Sequence, residues 1–74
     1  MKGLEPTLIE VTVNGEQQRV PAGQSILALL TFLNVKPDRV AVELDRHLVH
    51  KRDWEQTPVS ESSRIEIVEF VGGG

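Results

Sequence analysis

Few residues of this sequence carry chemistry by themselves. His47 and His50 offer two imidazoles three positions apart, but a metal ion needs a third ligand that nothing nearby assures, so both read as surface histidines. Ser60, Ser62 and Ser63 cluster with Glu61 in a turn-like stretch where hydroxyls commonly bond the backbone, and nothing marks one of them as a nucleophile. The cysteine count is zero. That removes thiol nucleophiles, persulfides on the chain itself, iron–sulfur ligands and cysteine-based zinc sites, so any sulfur chemistry must use another atom. What remains is the ending Val71-Gly72-Gly73-Gly74, in which the last three residues lack a Cβ and finish in a carboxylate. Read alone, such an ending is a frayed terminus. The elements that lead to it decide otherwise.

Seventy-four residues leave room for one small domain and exclude an elaborate multi-part enzyme. A hydrophobic fraction of 39% with 26% charged residues is that of a folding chain. With no cysteine to staple it, packing alone must hold the core. Eight Lys and Arg against eleven Asp and Glu give a net charge of −3, and the single adjacent basic pair is Lys51-Arg52, which argues against nucleic acid as a partner. The longest apolar stretch, Ile26 to Leu33, is about half of what crosses a bilayer, and Met1-Lys2-Gly3-Leu4-Glu5-Pro6 lacks the apolar centre of a signal peptide. No membrane partner and a cytoplasmic location are expected.

Residues 1–7 form a poorly patterned lead, expected to be poorly ordered. Ile9, Val11 and Val13 then alternate as one face of a half-buried strand, and Asn14-Gly15 is a strong type I′ hairpin signal, making Glu16 to Val20 the return strand. Pro21-Ala22-Gly23 breaks the sheet. Ser25 suits an N-cap before Ile26, Leu29, Leu30 and Leu33, which recur as the core stripe of a helix; Asn34 suits a left-handed C-cap and Pro37 cannot continue the helix. Val40, Val42 and Leu44 give a third strand, Leu48-Val49 a short fourth, and Asp53-Trp54 a turn whose indole covers one end of the core. The last strand runs from Arg64 to Phe70, with Ile65 and Ile67 on one face and Glu66, Val68 and Phe70 on the other. A hairpin, one helix and further strands predict an α+β domain over residues 8–71, with the helix across one face of a mixed sheet and residues 72–74 as a flexible glycine tail. That is the ubiquitin-like β-grasp arrangement.

Over Ile9 to Gly74 the sequence resembles the ThiS family, the sulfur carrier proteins of thiamine biosynthesis. The likeness rests on Val13-Asn14-Gly15-Glu16, Val20-Pro21-Ala22-Gly23, Val40-Ala41-Val42-Glu43-Leu44, Asp53-Trp54 and the ending Ile65-Glu66-Ile67-Val68-Glu69-Phe70-Val71-Gly72-Gly73-Gly74, in this order on a short chain. Three departures stand out. Asp45-Arg46 occupies the place of a usual Asn-Gly turn, Ser62-Ser63 replaces a common Gly-Asp, and the helix carries no charge.

The resemblance implies a carrier that is not itself an enzyme. Its Gly74 carboxylate would be adenylated by an E1-like adenylyltransferase (ThiF-like) using ATP, converted to a thiocarboxylate with sulfur from a donor such as a cysteine desulfurase, and used to deliver sulfur to a thiazole synthase (ThiG-like). No cofactor would be bound permanently. Gly72 and Gly73 would supply clearance in a partner's narrow channel, since a backbone without Cβ enters where others cannot. Val68, Phe70 and Val71 lie on the strand that delivers the tail and are expected to contact the partner. The rivals are the sulfur carrier of molybdopterin synthesis, a ubiquitin-like modifier joined to target lysines through its C-terminus, and an interaction domain with an irrelevant tail.

The helix poses a separate question, because Leu27 and Phe32 fall off its stripe and no charged residue solvates the far side. Phe32 is expected to fold over the Val35-Pro37 loop or meet the N-terminal lead, with a homodimer or partner surface as the alternative.

Overall fold

The computed structural model describes residues 7–70. Expectations for residues 1–6 and 71–74, including Val71, Gly72, Gly73 and Gly74, lie outside the described residues. Strand β1 (Leu8–Val13) pairs antiparallel with β2 (Glu16–Pro21), with Val13 opposite Glu16 across the tight turn. The turn has the two positive φ angles that type I′ requires, 50° at Asn14 and 84° at Gly15. Helix α1 (Ile26–Phe32) follows, and the Ser25 hydroxyl caps it by accepting from the Ala28 N–H at 3.1 Å.

The helix stops where its backbone turns left-handed at Asn34 (φ 65°). There the Val35 N–H donates to the Leu30 carbonyl at 2.9 Å and the Asn34 N–H to the Thr31 carbonyl at 3.0 Å, a Schellman closure of the last turn. A 3₁₀ turn at Pro37–Arg39 then leads into β3 (Val40–Leu44), β4 (His47–Val49), a 3₁₀ segment at Lys51–Gln56 and β5 (Arg64–Glu69).

The five strands form one mixed sheet in the order β2-β1-β5-β3-β4, with β5 parallel to β1 and antiparallel to β3. Two hairpins flanking a central strand, with one helix packed on a single face, make this a β-grasp fold. Inward residues of the strands, Val11, Val13, Val20, Val42 and Ile65, meet Ile26, Leu29 and Leu30 from the helix in a buried core. Trp54 closes one end of it; the side chain is 2% exposed and its indole N–H donates to the Val49 carbonyl at 2.8 Å.

Several elements differ from the sequence reading. The stretch around Asp53-Trp54 is a six-residue 3₁₀ segment, and its Thr57 hydroxyl donates back to the Asp53 carbonyl at 2.6 Å. Leu27 packs against the core although stripe spacing leaves it aside, and the helix has the 3₁₀ segment Lys51–Gln56 beside it as well as the sheet. Phe32 is 51% exposed, so the Val35-Pro37 loop does not cover it. The turns without glycine keep the glycine geometry: Asp45 and Arg46 have φ of 51° and 73°, and Ser62 has 70°. Side chains and neighbouring strands hold these strained conformations. The Asp45 carboxylate accepts from the Arg64 N–H at 2.9 Å, and the buried Ser63 hydroxyl accepts from the Ser60 N–H at 3.0 Å.

Candidate functional site

Strand β5 is the element that carries the chain toward its end, and its two faces have opposite characters. Ile65 is fully buried on the helix side, whereas Val68 and Phe70 on the other side are 57% and 55% exposed. The register extends this outer face across the sheet. Val68 stands opposite Ala41, Glu66 opposite Glu43, and Glu43 opposite Leu48, which is 58% exposed. Leu48, Ala41, Val68 and Phe70 thus line an apolar strip beside two facing carboxylates, Glu43 and Glu66. Like charges placed directly opposite each other weaken a sheet, and these two would be relieved by a cationic neighbour. An exposed apolar strip rimmed by charge is the ordinary composition of a surface that meets another protein.

Sequence reasoning named Val68 and Phe70 for this face, and the structure brings them together with Leu48, which it did not name. The period-2 pattern of β5 reveals its own two faces, but the neighbour of Val68 across β3 and β4 follows only from pairing register. The strand assignment ends at Glu69, yet the Phe70 N–H still donates to the Arg39 carbonyl at 2.8 Å. The last described residue is therefore held to the sheet.

On the helix side of the same strand end lies a cleft of about 810 Å³ between the Asn14-Gly15 turn and the end of the helix. Val35, Val40 and Ile67 line it together with Lys36, Arg39 and Glu69. Asp38, between the two cations, faces elsewhere and accepts from Lys51 at 2.8 Å; that hydrogen bond and the Lys51 charge hold its carboxyl below the usual value of 3.8.

At the lip of the cleft the Asn14 side chain does more than tolerate a turn. Its Oδ1 accepts from the Ile67 N–H at 2.7 Å, and its Nδ2 donates to the Ile67 carbonyl at 3.2 Å. Nothing in the sequence signals this, because the hairpin turn accounts for Asn14 in full. His47 is exposed, with its Nδ1 3.0 Å from the Asp45 carbonyl, and the described residues hold no cluster of three or more metal-ligating side chains. No helix among them is long and apolar enough to cross a membrane.

The model of the ThiS family matches residues 8–74 of this chain, from the first strand to the final glycine. The chain belongs to the ThiS family. A solved structure of the thiamine biosynthesis protein ThiS from Geobacter metallireducens superimposes with a TM-score of 0.78 at 29% identity, covering 89% of this chain and all of that one. Among sequences, a thiazole synthase of Paramagnetospirillum magneticum is 36% identical over 66 residues, and one of Magnetococcus marinus 33%. This ThiS-family chain spans only 20% of the length of each of those two synthases. An uncharacterized ycf40 protein of Porphyra purpurea is 30% identical and matched over 93% of its length.

Proposed function

We propose that this chain is a sulfur carrier of thiamine biosynthesis and acts through the carboxylate of Gly74. The observation that carries this reading is the family match itself, which runs through the glycine ending. The chemistry of the chain agrees with it. A free carboxylate resists nucleophiles because it is anionic and has no good leaving group. Attack of its oxygen on the α-phosphorus of ATP, in the active site of an E1-like adenylyltransferase, expels pyrophosphate and leaves an acyl-adenylate. A persulfide supplied by a sulfur donor then attacks the carbonyl carbon and AMP departs; a second thiol opens the acyl disulfide and frees the thiocarboxylate. All the thiols in this sequence belong to partners, which is consistent with a chain that has no cysteine.

In this reading the chain is not a catalyst, and ATP is bound by the activating enzyme rather than here. Gly72 and Gly73 give the tail a cross-section of bare backbone, and three glycines extend at most about 10 Å. Ordering such a tail costs roughly 1–2 kcal/mol per residue, so the folded body must dock to offset it. The strip of Leu48, Val68 and Phe70, with Val71 next in sequence, is the docking surface proposed for that role. The acceptor proposed is a thiazole synthase. Two proteins of that name contain a segment similar to this chain, an arrangement that raises the local concentration of carrier at its acceptor.

The test is mass spectrometry of the chain after incubation with ATP, a sulfur donor and a ThiF-like adenylyltransferase. Sulfur in place of one oxygen of the Gly74 carboxylate supports the reading; an amide between Gly74 and a lysine, or an unmodified terminus, overturns it.

A further inference from the structure

The parallel pairing of β1 with β5 ends early. The Thr12 N–H donates to the Ser63 carbonyl and the Asn14 N–H to the Ile65 carbonyl, each at 2.9 Å, and at that point the chain turns away into the hairpin. Strand β5 continues past the turn, so its next residue, Ile67, would have a free N–H and a free carbonyl on that side. The Asn14 amide takes both, at 2.7 and 3.2 Å, in place of the backbone that β1 no longer provides. Beyond Ile67 the described part of the strand has a backbone neighbour only in β3 and the Arg39 carbonyl.

The geometry points to Asn14 as a positioning residue that sets the bearing of the C-terminal arm. The inference rests on the carrier reading above for its functional consequence, but its structural half stands by itself. The turn requires a residue that accepts φ of 50°, and glycine or aspartate would satisfy it as well as asparagine. Of these three, only asparagine presents a donor and an acceptor side by side. An aspartate would keep the acceptor for the Ile67 N–H and set a carboxylate against the Ile67 carbonyl; a glycine would offer neither. Val68 and Phe70 lie one and three residues beyond the clamp, so the hold on Ile67 bears directly on the strand end that carries the exposed apolar strip. Order lost at Val68 to Phe70 has to be restored when the carrier docks, which weakens binding rather than slowing the chemical step.

The experiment compares the wild-type chain with Asn14→Gly and Asn14→Asp, each retaining the left-handed turn. Three quantities are measured: amide exchange at Ile67, backbone order parameters at Val68 to Phe70, and the kinetics of adenylation by a ThiF-like enzyme with the carrier as varied substrate. In Asn14→Gly, exchange at Ile67 should accelerate by about tenfold or more while the Val11 and Val42 amides keep their protection, and the melting temperature should fall by less than about 10 °C. Order parameters at Val68 to Phe70 should drop from the rigid range near about 0.85. KM for the carrier should rise about tenfold with kcat nearly unchanged, since the lost order must be restored on binding, and Asn14→Asp should lie between the two.

A purely structural role would lower the melting temperature and the active fraction together, with KM unchanged, and would overturn the inference. So would unaltered exchange and order parameters in Asn14→Gly, whatever the enzyme does. If the wild type is not adenylated at all, the carrier reading falls, and the loosening of Val68 to Phe70 in Asn14→Gly still decides whether Asn14 holds the arm.

Discussion

Replacing Phe70 with aspartate should weaken binding to the activating enzyme without unfolding the domain. Phe70 is 55% exposed, and its tie to the sheet is the backbone N–H bond to the Arg39 carbonyl, which substitution leaves in place. An aromatic side chain carries about 150–250 Å², so roughly 110 Å² of it faces water and is free to be covered by a partner. At about 25 cal/mol per Å² that area corresponds to about 2.7 kcal/mol, the ceiling for losing the contact. Part of it is offset by ordering costs on binding, and aspartate adds a charge to be desolvated in the interface, so a net loss of about 1.5–2.5 kcal/mol is expected. That is about a tenfold to sixtyfold rise in Kd. Calorimetric titration of the variant into a ThiF-like enzyme reads the affinity, and thermal melting of the variant alone reads the fold. An unchanged Kd refutes the docking strip; loss of cooperative melting refutes the placement of Phe70 outside the core.

Leu30→Ala removes a fully buried helix side chain and should cost about 2–5 kcal/mol, enough to unfold much of so small a domain, as read by urea titration. Arg46→Gly should stabilise by about 0.5–1 kcal/mol, because Arg46 sits at φ 73°, where a Cβ costs about 1–2 kcal/mol and glycine gives back part of that in chain entropy; an unchanged or lower melting temperature counts against it. The Asp38 carboxyl is held below its ordinary value, so its bond to Lys51 contributes above that value and is lost as pH falls through the depressed one. Both side chains are exposed, so Asp38→Asn should change the melting temperature at pH 7 barely, and less still in high salt.

Strands, turn and cap were legible because each is written in local chemistry: alternation in β1, β3 and β5, Asn14-Gly15 for the hairpin, Ser25 for the N-cap, Asn34 for the left-handed stop. What stayed hidden depends on neighbours distant in sequence. The parallel pairing of β5 with β1 has no local signature, and it alone brings Asn14 to Ile67 across 53 positions. Leu48 joins Val68 only through two registers in succession. Arg46 and Ser62 carry no propensity for positive φ and adopt it because the strands they join leave no other path. Val68 and Phe70 were readable as an outer face from period alone, whereas the fold that places them came from the order of motifs along the chain.

The most direct test of the central claim is deletion of Gly74. Removing it draws the carboxylate back by up to about 3.6 Å, far outside near-attack distance, while leaving residues 7–70 untouched. The full chain and the shortened one are incubated with ATP, a sulfur donor and a ThiF-like adenylyltransferase, and the C-terminal peptide is fragmented or alkylated so that oxidation of Met1 is not mistaken for sulfur. The account predicts a thiocarboxylate on the full chain and none on the deletion, with equal melting temperatures. A deletion that acquires and delivers sulfur as well as the full chain would contradict it.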